Sequence, residues 1–190
     1  VLEKVTPLYP QFVPAANVLE TSLDNIGAVF HPATTVLNAN RIEAGEDFEF
    51  YRGMTPSVTR VMEVIDSERL AVCQAFGVRV QSAADWLASA YDGITGQTLY
   101  ERIQSNRAYA GIKAPKSLRV RYLTEDVPTG LVPIVSLAKL AGLSAPVSES
   151  IINIAGALLD VDFWQTGRTP ARLGIEGMTV EKIIRYVNGD

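Results

Sequence analysis

Apolar residues recur at helical spacing along most of this sequence, and no other feature constrains its fold as strongly. The first apolar stripe is formed by Leu19, Leu23, Ile26 and Phe30. These positions follow the spacing i, i+4, i+7, i+11, which places side chains on one face of a helix. Further patterns predict helices over 57–76, 82–91, 98–104, 128–143, 146–159 and 179–187, with a short extended segment at 45–53 and a long loop at 105–117. The sequence therefore predicts an all-α domain of many helices.

Pro32 interrupts the first of these helical patterns. A proline cannot donate a hydrogen bond to the preceding turn, and it disfavours helical geometry at the residue before it. We therefore expect His31 at a kink, or at the cap of a restarted helix that reaches about residue 42. Thr35 and Asn38 would share the face of His31 on that helix.

His31 is the single histidine in the sequence and the first candidate for acid–base chemistry. Histidine is the side chain whose ordinary pKa, about 6.5, suits proton transfer near neutral pH. A later segment supplies two charged groups that suit such a histidine, Arg121 and Asp126. Each residue also has an ordinary structural interpretation: a core histidine held by a backbone carbonyl, an exposed ion pair for Arg121, and a helix N-cap for Asp126. The residues alone do not decide between a catalytic and a structural role for His31, Arg121 and Asp126.

Composition narrows the class of protein. Of the 190 residues, 47% are hydrophobic and 20% are charged, which is typical of a globular chain that can form one domain with its own core. The net charge is −4, with acidic and basic residues interleaved, so there is no basic surface for nucleic acid or anionic lipid. Cys73 is the single cysteine, which excludes an internal disulfide and a multi-cysteine zinc site. With no apolar run of about 18 residues, we expect a soluble, cytoplasmic protein.

Several separated segments carry a family resemblance. In chain order they are NVLETS (17–22), HPATTVLN (31–38), RIE (41–43), YAGIKAP (109–115), RYLTEDVP (121–128) with GLVP (130–133), and Gly142 followed by Ala145 and Pro146. Together they resemble the C-terminal domain of octopine and nopaline dehydrogenases, and the resemblance extends over nearly the whole chain.

The resemblance implies a fold, a reaction and a set of site residues. The fold would be a helical domain like the C-terminal domain of 6-phosphogluconate dehydrogenases. The reaction would be that of an opine dehydrogenase, in which an amino acid and a 2-oxo acid form an imine that NADH or NADPH reduces, or the reverse. By matching motifs, His31 would transfer the proton and Asp126 would orient the His31 ring. Arg121 would bind a substrate carboxylate, and Thr35 and Asn38 would line the same site.

One element of such an enzyme is missing from the sequence. No strand is followed by Gly-x-Gly-x-x-Gly and a helix, the pattern that binds the pyrophosphate of a dinucleotide. We therefore expect residues 1–190 to be the substrate-binding and catalytic domain of a longer enzyme, inactive alone, with NAD or NADP bound by an N-terminal Rossmann domain that this chain lacks.

Two alternatives remain at this stage. One is a reductase of another substrate class on the same fold, such as ketopantoate or glycerol-3-phosphate reductase, which would require a lysine near His31. The other is a helical dimerisation module without chemistry, which predicts an apolar face on helix 146–159 shared between subunits, with His31 far from Asp126. The choice of amino acid, oxo acid and nucleotide is left open, as is the oligomeric state, for which a homodimer is one candidate.

Overall fold

The structure, a computed structural model, describes residues 2–10 and 12–189. The helices of this part of the chain are α1 (Leu2–Val5), α2 (Val18–Leu23), α3 (Ile26–Leu37), α4 (Ala39–Glu43), α5 (Pro56–Ala75), α6 (Ala83–Ala90), α7 (Leu99–Ser105), α8 (Arg121–Thr124), α9 (Val132–Leu140), α10 (Pro146–Leu159), α11 (Phe163–Thr166), α12 (Pro170–Leu173) and α13 (Val180–Asn188). A 3₁₀ turn covers Arg107–Tyr109, and a π-helical turn covers Val127–Leu131. The described residues form no strand, only an isolated bridge between Glu49 and Lys113. The prediction of an all-α domain is confirmed.

Helix α3 lies at the centre of the domain. It packs against α5, α8, α10 and the π-helical turn. Most of its 12 residues are buried: Ile26, Ala28, Val29, Phe30, Pro32, Ala33, Thr34, Thr35 and Val36. Burying apolar side chains stabilises a fold by roughly 25 cal/mol per Å² removed from water, so α3 is a main source of core stability.

The prediction that a helix restarts at Pro32 is wrong. Helix α3 continues through Pro32, which is buried in the core. The chain breaks earlier, at Asp24 and Asn25, and the Asn25 side chain caps α3 by accepting a hydrogen bond from Ala28 N at 3.3 Å. An interior proline removes one helical hydrogen bond and crowds the carbonyl one turn earlier, which costs about 3 kcal/mol. The burial of α3 on several sides outweighs that cost. His31 therefore lies inside a continuous helix.

Most of the other predicted helices are confirmed, because their ends are set by local sequence. Ser82 and Thr98 cap α6 and α7 with their hydroxyl groups, as such residues ordinarily do. Gly77 follows the end of α5 with a φ of +66°, a conformation that glycine adopts without strain. The helix predicted at 128–143 differs: its first turn is π-helical, and α9 begins only at Val132.

The segment at 45–53 and the loop at 105–117 pair with each other. Phe50 N donates to Ile112 O at 2.8 Å, and Ala114 N donates to Phe48 O at 2.9 Å. These backbone hydrogen bonds tie both segments beside α3. The pairing places Tyr51, the residue after Phe50, next to His31.

Candidate active site

His31 lies on α3 with both ring nitrogens hydrogen-bonded. Its Nδ1 atom is 2.9 Å from Asp126 Oδ2, and its Nε2 atom is 2.9 Å from the Tyr51 hydroxyl. An ionised carboxylate only accepts hydrogen bonds, so Nδ1 carries a proton and donates it to Asp126. In the neutral ring, Nε2 then accepts from Tyr51; in the imidazolium, Nε2 donates to it. Nε2 is therefore the nitrogen at which His31 can gain or lose a proton.

Asp126 does not act as a helix cap. It directly precedes the π-helical turn, yet its side chain makes no capping hydrogen bond there. Its carboxylate instead meets His31, where the two side chains are only 17% and 23% exposed. A carboxylate in this position fixes the ring tautomer and stabilises the imidazolium form. The geometry therefore supports the oriented-histidine interpretation over the capping one.

Two glycines allow this close approach. A Cβ atom at Gly27 would lie 3.1 Å from Asp126 Oδ1 and 3.4 Å from His31 Nδ1. A Cβ atom at Gly130 would lie 2.6 Å from the Cβ of Ala28, so only glycine lets the π-helical turn pack this closely on α3. Both positions bring Asp126 towards His31, and neither was singled out as a site residue from the sequence.

Aromatic rings surround the histidine. Tyr122 stacks on the His31 ring with centroids 4.4 Å apart, and Phe50 packs against Tyr122 at 4.6 Å and against His31 at 6.2 Å. Tyr51 stacks on Tyr109 at 4.1 Å with an interplanar angle of 15°. Burial, with a contribution from Tyr122, raises the pKa of Tyr51 above its ordinary value. The Tyr51 hydroxyl therefore stays protonated through the neutral range.

A cleft of about 350 Å³ opens beside His31. It is lined by Asp24, Asn25, Ile26, Gly27, Phe30, His31, Tyr51, Trp86, Tyr91, Tyr109 and Ile112. Aromatic side chains from α6 and from the two paired segments form much of this wall. Asp24 is its one carboxylate, and desolvation raises the pKa of that carboxyl while the neighbouring Arg69 opposes the rise. The cleft can hold a small molecule with its reacting atoms beside Tyr51 and His31.

Arg121 does not line this cleft. Its side chain is 82% exposed and pairs with Glu125, with Nε–Oε2 and Nη2–Oε1 distances of 2.7 and 3.0 Å. The hydrogen bonds that Arg121 donates to the Glu125 carboxylate raise the pKa of the Arg121 guanidinium. The structure therefore places Arg121 on the surface near Asp126 in the chain, and not in contact with His31.

Thr35 and Asn38 lie in the interior and not along the cleft. Thr35 is fully buried, and its hydroxyl has no hydrogen-bond partner among the described residues. The Asn38 side chain donates to Thr34 O at 2.9 Å and accepts from Arg41 at 3.2 Å. Thr35 lies on α3 and Asn38 is the cap residue directly after it, and both side chains are buried in the core. The structure does not bring them to the candidate site.

A known family accounts for most of the chain. The family model described as NAD/NADP octopine/nopaline dehydrogenase, alpha-helical domain, matches residues 14–159. The chain belongs to this family. Its helical domain is 42% identical over 183 residues to an opine dehydrogenase of Arthrobacter sp. (strain 1C), covering 96% of this chain and 51% of that protein.

Two further relatives are similar to most or all of this chain at lower identity. A vitopine synthase of Allorhizobium ampelinum is 30% identical over 168 residues, covering 87% of this chain and 46% of that protein. A solved structure of octopine dehydrogenase with NADH and L-arginine aligns with a TM-score of 0.78 and 24% identity, covering all of this chain and 54% of the other. The chain thus spans about half the length of these relatives, and the structural similarity confirms the fold.

The octopine dehydrogenase-type domain holds site residues that sequence reasoning missed. Tyr51 and Tyr122 contact the His31 ring, while Trp86 and Tyr91 line the cleft. Their approach depends on pairings between distant segments, which leave no spacing signal. Among residues 2–10 and 12–189, no helix is both long and apolar enough to cross a bilayer, and no group of acidic, histidine or cysteine side chains is suited to hold a metal ion.

Proposed function

We propose that this domain binds the substrates and transfers the proton in an NAD(P)-dependent opine dehydrogenase. The observation that carries the proposal is His31, held at 2.9 Å by Asp126 on one side and at 2.9 Å by Tyr51 on the other, beside an aromatic cleft. Family membership and the opine dehydrogenase relatives support the same assignment. In this proposal His31 and Asp126 are the proton-transfer pair.

The proposed reaction joins an amino acid to a 2-oxo acid through an imine. When the amine has added to the carbonyl carbon, the hydroxyl group must leave as water and therefore needs a proton. His31 as an imidazolium, stabilised by Asp126, is the proton source. In the reverse direction, neutral His31 accepts a proton from the attacking water. The same ring nitrogen, Nε2, acts in both directions.

We place the nucleotide on a domain outside residues 1–190. The described residues contain no strand leading through a glycine-rich turn into a helix, so they do not fit the pyrophosphate of a dinucleotide. NADH or NADPH bound there would supply the hydride. The family description, which names NAD and NADP, supports a nucleotide-dependent reaction.

Substrate binding is assigned in outline. The acidic and aromatic lining of the cleft would contact the amino acid. Arg121 remains the proposed partner of a substrate carboxylate, and its ion pair with Glu125 would have to break for that contact to form. Thr35 and Asn38 would act only indirectly, through the packing of α3.

We also propose a homodimer and a cytoplasmic location. The free, buried Cys73 supports the location. The likeness to 6-phosphogluconate dehydrogenases stays a prediction.

The two alternatives receive less support. The reductase interpretation requires a lysine near His31, and the described lining of the cleft includes none; Lys113 instead pairs with exposed Asp47 at 3.1 Å. The dimerisation interpretation requires His31 and Asp126 to lie far apart, which their 2.9 Å contact contradicts. On α10, Ile154 and Leu158 are 46% and 38% exposed, while Ile151, Ile152, Ala155 and Leu159 are buried within the domain.

The test is an assay of the full-length enzyme with pairs of amino acids and 2-oxo acids. We expect NADH- or NADPH-dependent formation of a secondary amine, detected by mass spectrometry, and a fall in kcat of about 10²-fold or more in His31→Gln. Asp47→Asn, which removes only an exposed ion pair, is the control. Reduction of the oxo acid to a hydroxy acid without amine would favour the reductase, and no product from any pair would overturn the proposal.

A further inference from the structure

The hydrogen bond between Tyr51 and His31 raises the question of how His31 reaches a substrate. Asp126 occupies Nδ1 and the Tyr51 hydroxyl occupies Nε2, each at 2.9 Å. Both ring nitrogens are therefore engaged. A proton can pass between Nε2 and a molecule in the cleft only if Tyr51 moves aside or passes the proton on.

Tyr51 is held firmly in place. Its ring stacks on Tyr109 at 4.1 Å, meets Phe50 edge-on at 5.1 Å, and meets Phe30 at 6.3 Å. Aromatic pairs of this kind are favourable beyond the burial of their area. Its backbone carbonyl also accepts a hydrogen bond from Met54 N at 3.1 Å. Moving Tyr51 would give up several of these contacts at once, whereas a relay needs only small shifts of protons.

We propose that Tyr51 is a proton relay between Nε2 of His31 and the substrate in the cleft. The inference rests on the proposed opine dehydrogenase function and adds to it a residue that touches the reacting atoms. Tyr51 lines the same cleft as His31, so its hydroxyl can face both partners.

The relay moves two protons as the imine forms. The C–O bond of the carbinolamine breaks, and the nitrogen lone pair forms the C=N bond. The leaving oxygen takes the proton of the Tyr51 hydroxyl and departs as water. The Tyr51 oxygen takes the Nε2 proton of the His31 imidazolium, so His31 ends neutral and Tyr51 ends as a phenol. Because burial raises the pKa of Tyr51, a free tyrosinate is disfavoured and the two protons move together.

The kinetic test compares Tyr51→Phe with the parent full-length enzyme. Phenylalanine keeps the stacked ring and removes only the hydroxyl. We expect kcat to fall about 10²-fold, within the range for loss of general acid catalysis, while KM changes less than about threefold. Single-turnover rates are then plotted against the deuterium fraction of the solvent. The plot should be curved for the parent, because two protons move in the step, and straight for Tyr51→Phe.

A matched control and a second readout distinguish failure of the relay from failure of the proposed function. Tyr186→Phe removes a phenol that is 63% exposed on α13, and should leave kcat unchanged. Comparison with His31→Gln identifies the His31 ¹⁵N resonances in the full-length enzyme; Tyr51→Phe should shift Nε2, and Tyr186→Phe should not. An unshifted Nε2, or an active parent whose kcat survives Tyr51→Phe, overturns the relay. A parent that is inactive with every substrate pair overturns the proposed function itself.

Discussion

His31 and Asp126 are 95 residues apart in the chain, yet their side chains share a hydrogen bond of 2.9 Å. The contact forms because the π-helical turn after Asp126 packs directly on α3, where Gly130 faces Ala28 and Gly27 faces the carboxylate. A central helix and an irregular turn thereby build a proton-transfer pair. The second ring nitrogen of His31, Nε2, is hydrogen-bonded to Tyr51, which lines the aromatic cleft.

Replacing Asp126 with asparagine should impair catalysis without unfolding the domain. The asparagine amide has nearly the same shape, but it neither fixes the ring tautomer nor stabilises the imidazolium as a carboxylate does. We expect kcat to fall about 10²-fold or more, with the His31 ¹⁵N shifts reporting a change in tautomer. Asp47→Asn, at an exposed ion pair, should change neither quantity. Full activity in Asp126→Asn would remove Asp126 from the proton-transfer pair.

Gly27→Ala should lower kcat while leaving thermal stability nearly unchanged. The new Cβ would lie 3.1 Å from Asp126 Oδ1, so the carboxylate must shift away from His31. Alanine also favours a helix by about 0.5–1 kcal/mol relative to glycine, which offsets the cost of crowding. We expect kcat to fall about tenfold or more through misplacement of Asp126, with a Tm close to that of the parent. Steady-state kinetics and thermal unfolding measure the two effects; a large loss of Tm with unchanged kcat would contradict this interpretation.

Gly130→Ala should destabilise the fold, and a second substitution should rescue it. The added Cβ would lie 2.6 Å from the Cβ of Ala28, which is an overlap. Overpacking of this kind costs about 1–3 kcal/mol in the free energy of unfolding. Ala28→Gly alone should cost about 1 kcal/mol through helix propensity. Combined, the two changes should be less destabilising than their sum, as urea denaturation of all four proteins in a double-mutant cycle would show; strict additivity would contradict the contact.

Cys73 should make stability depend on pH in the alkaline range. Burial raises the pKa of its thiol from 9 to about 11. Between these values the unfolded chain loses the thiol proton and the native protein keeps it, so the native state binds more protons and stability falls as pH rises. Below pH 9 this contribution is fully present. Urea denaturation across this range should show a steeper fall in the parent than in Cys73→Ala; equal slopes would indicate an ordinary thiol.

Local sequence was sufficient for much of the helical structure. The N-caps Ser82 and Thr98 and the span of α10 were predicted correctly, because capping groups and apolar periodicity act within a few residues. The family resemblance also led correctly to an octopine/nopaline dehydrogenase domain. Pairing His31 with Asp126 likewise came from matched motifs, although their ordinary interpretations were a core histidine and a helix cap.

What only the tertiary structure decided is which side chains meet. The packing of α3 on several neighbours carried the helix through Pro32, and Thr35 and Asn38 lie buried in the core instead of along the cleft. The pairing of two loops brought Tyr51 to His31, and no spacing in the sequence records that approach. Periodicity and capping act over one or two turns of a helix, whereas the site is assembled from segments far apart in the chain. The sequence therefore determined the helices and the family, and long-range packing determined the geometry of the candidate site.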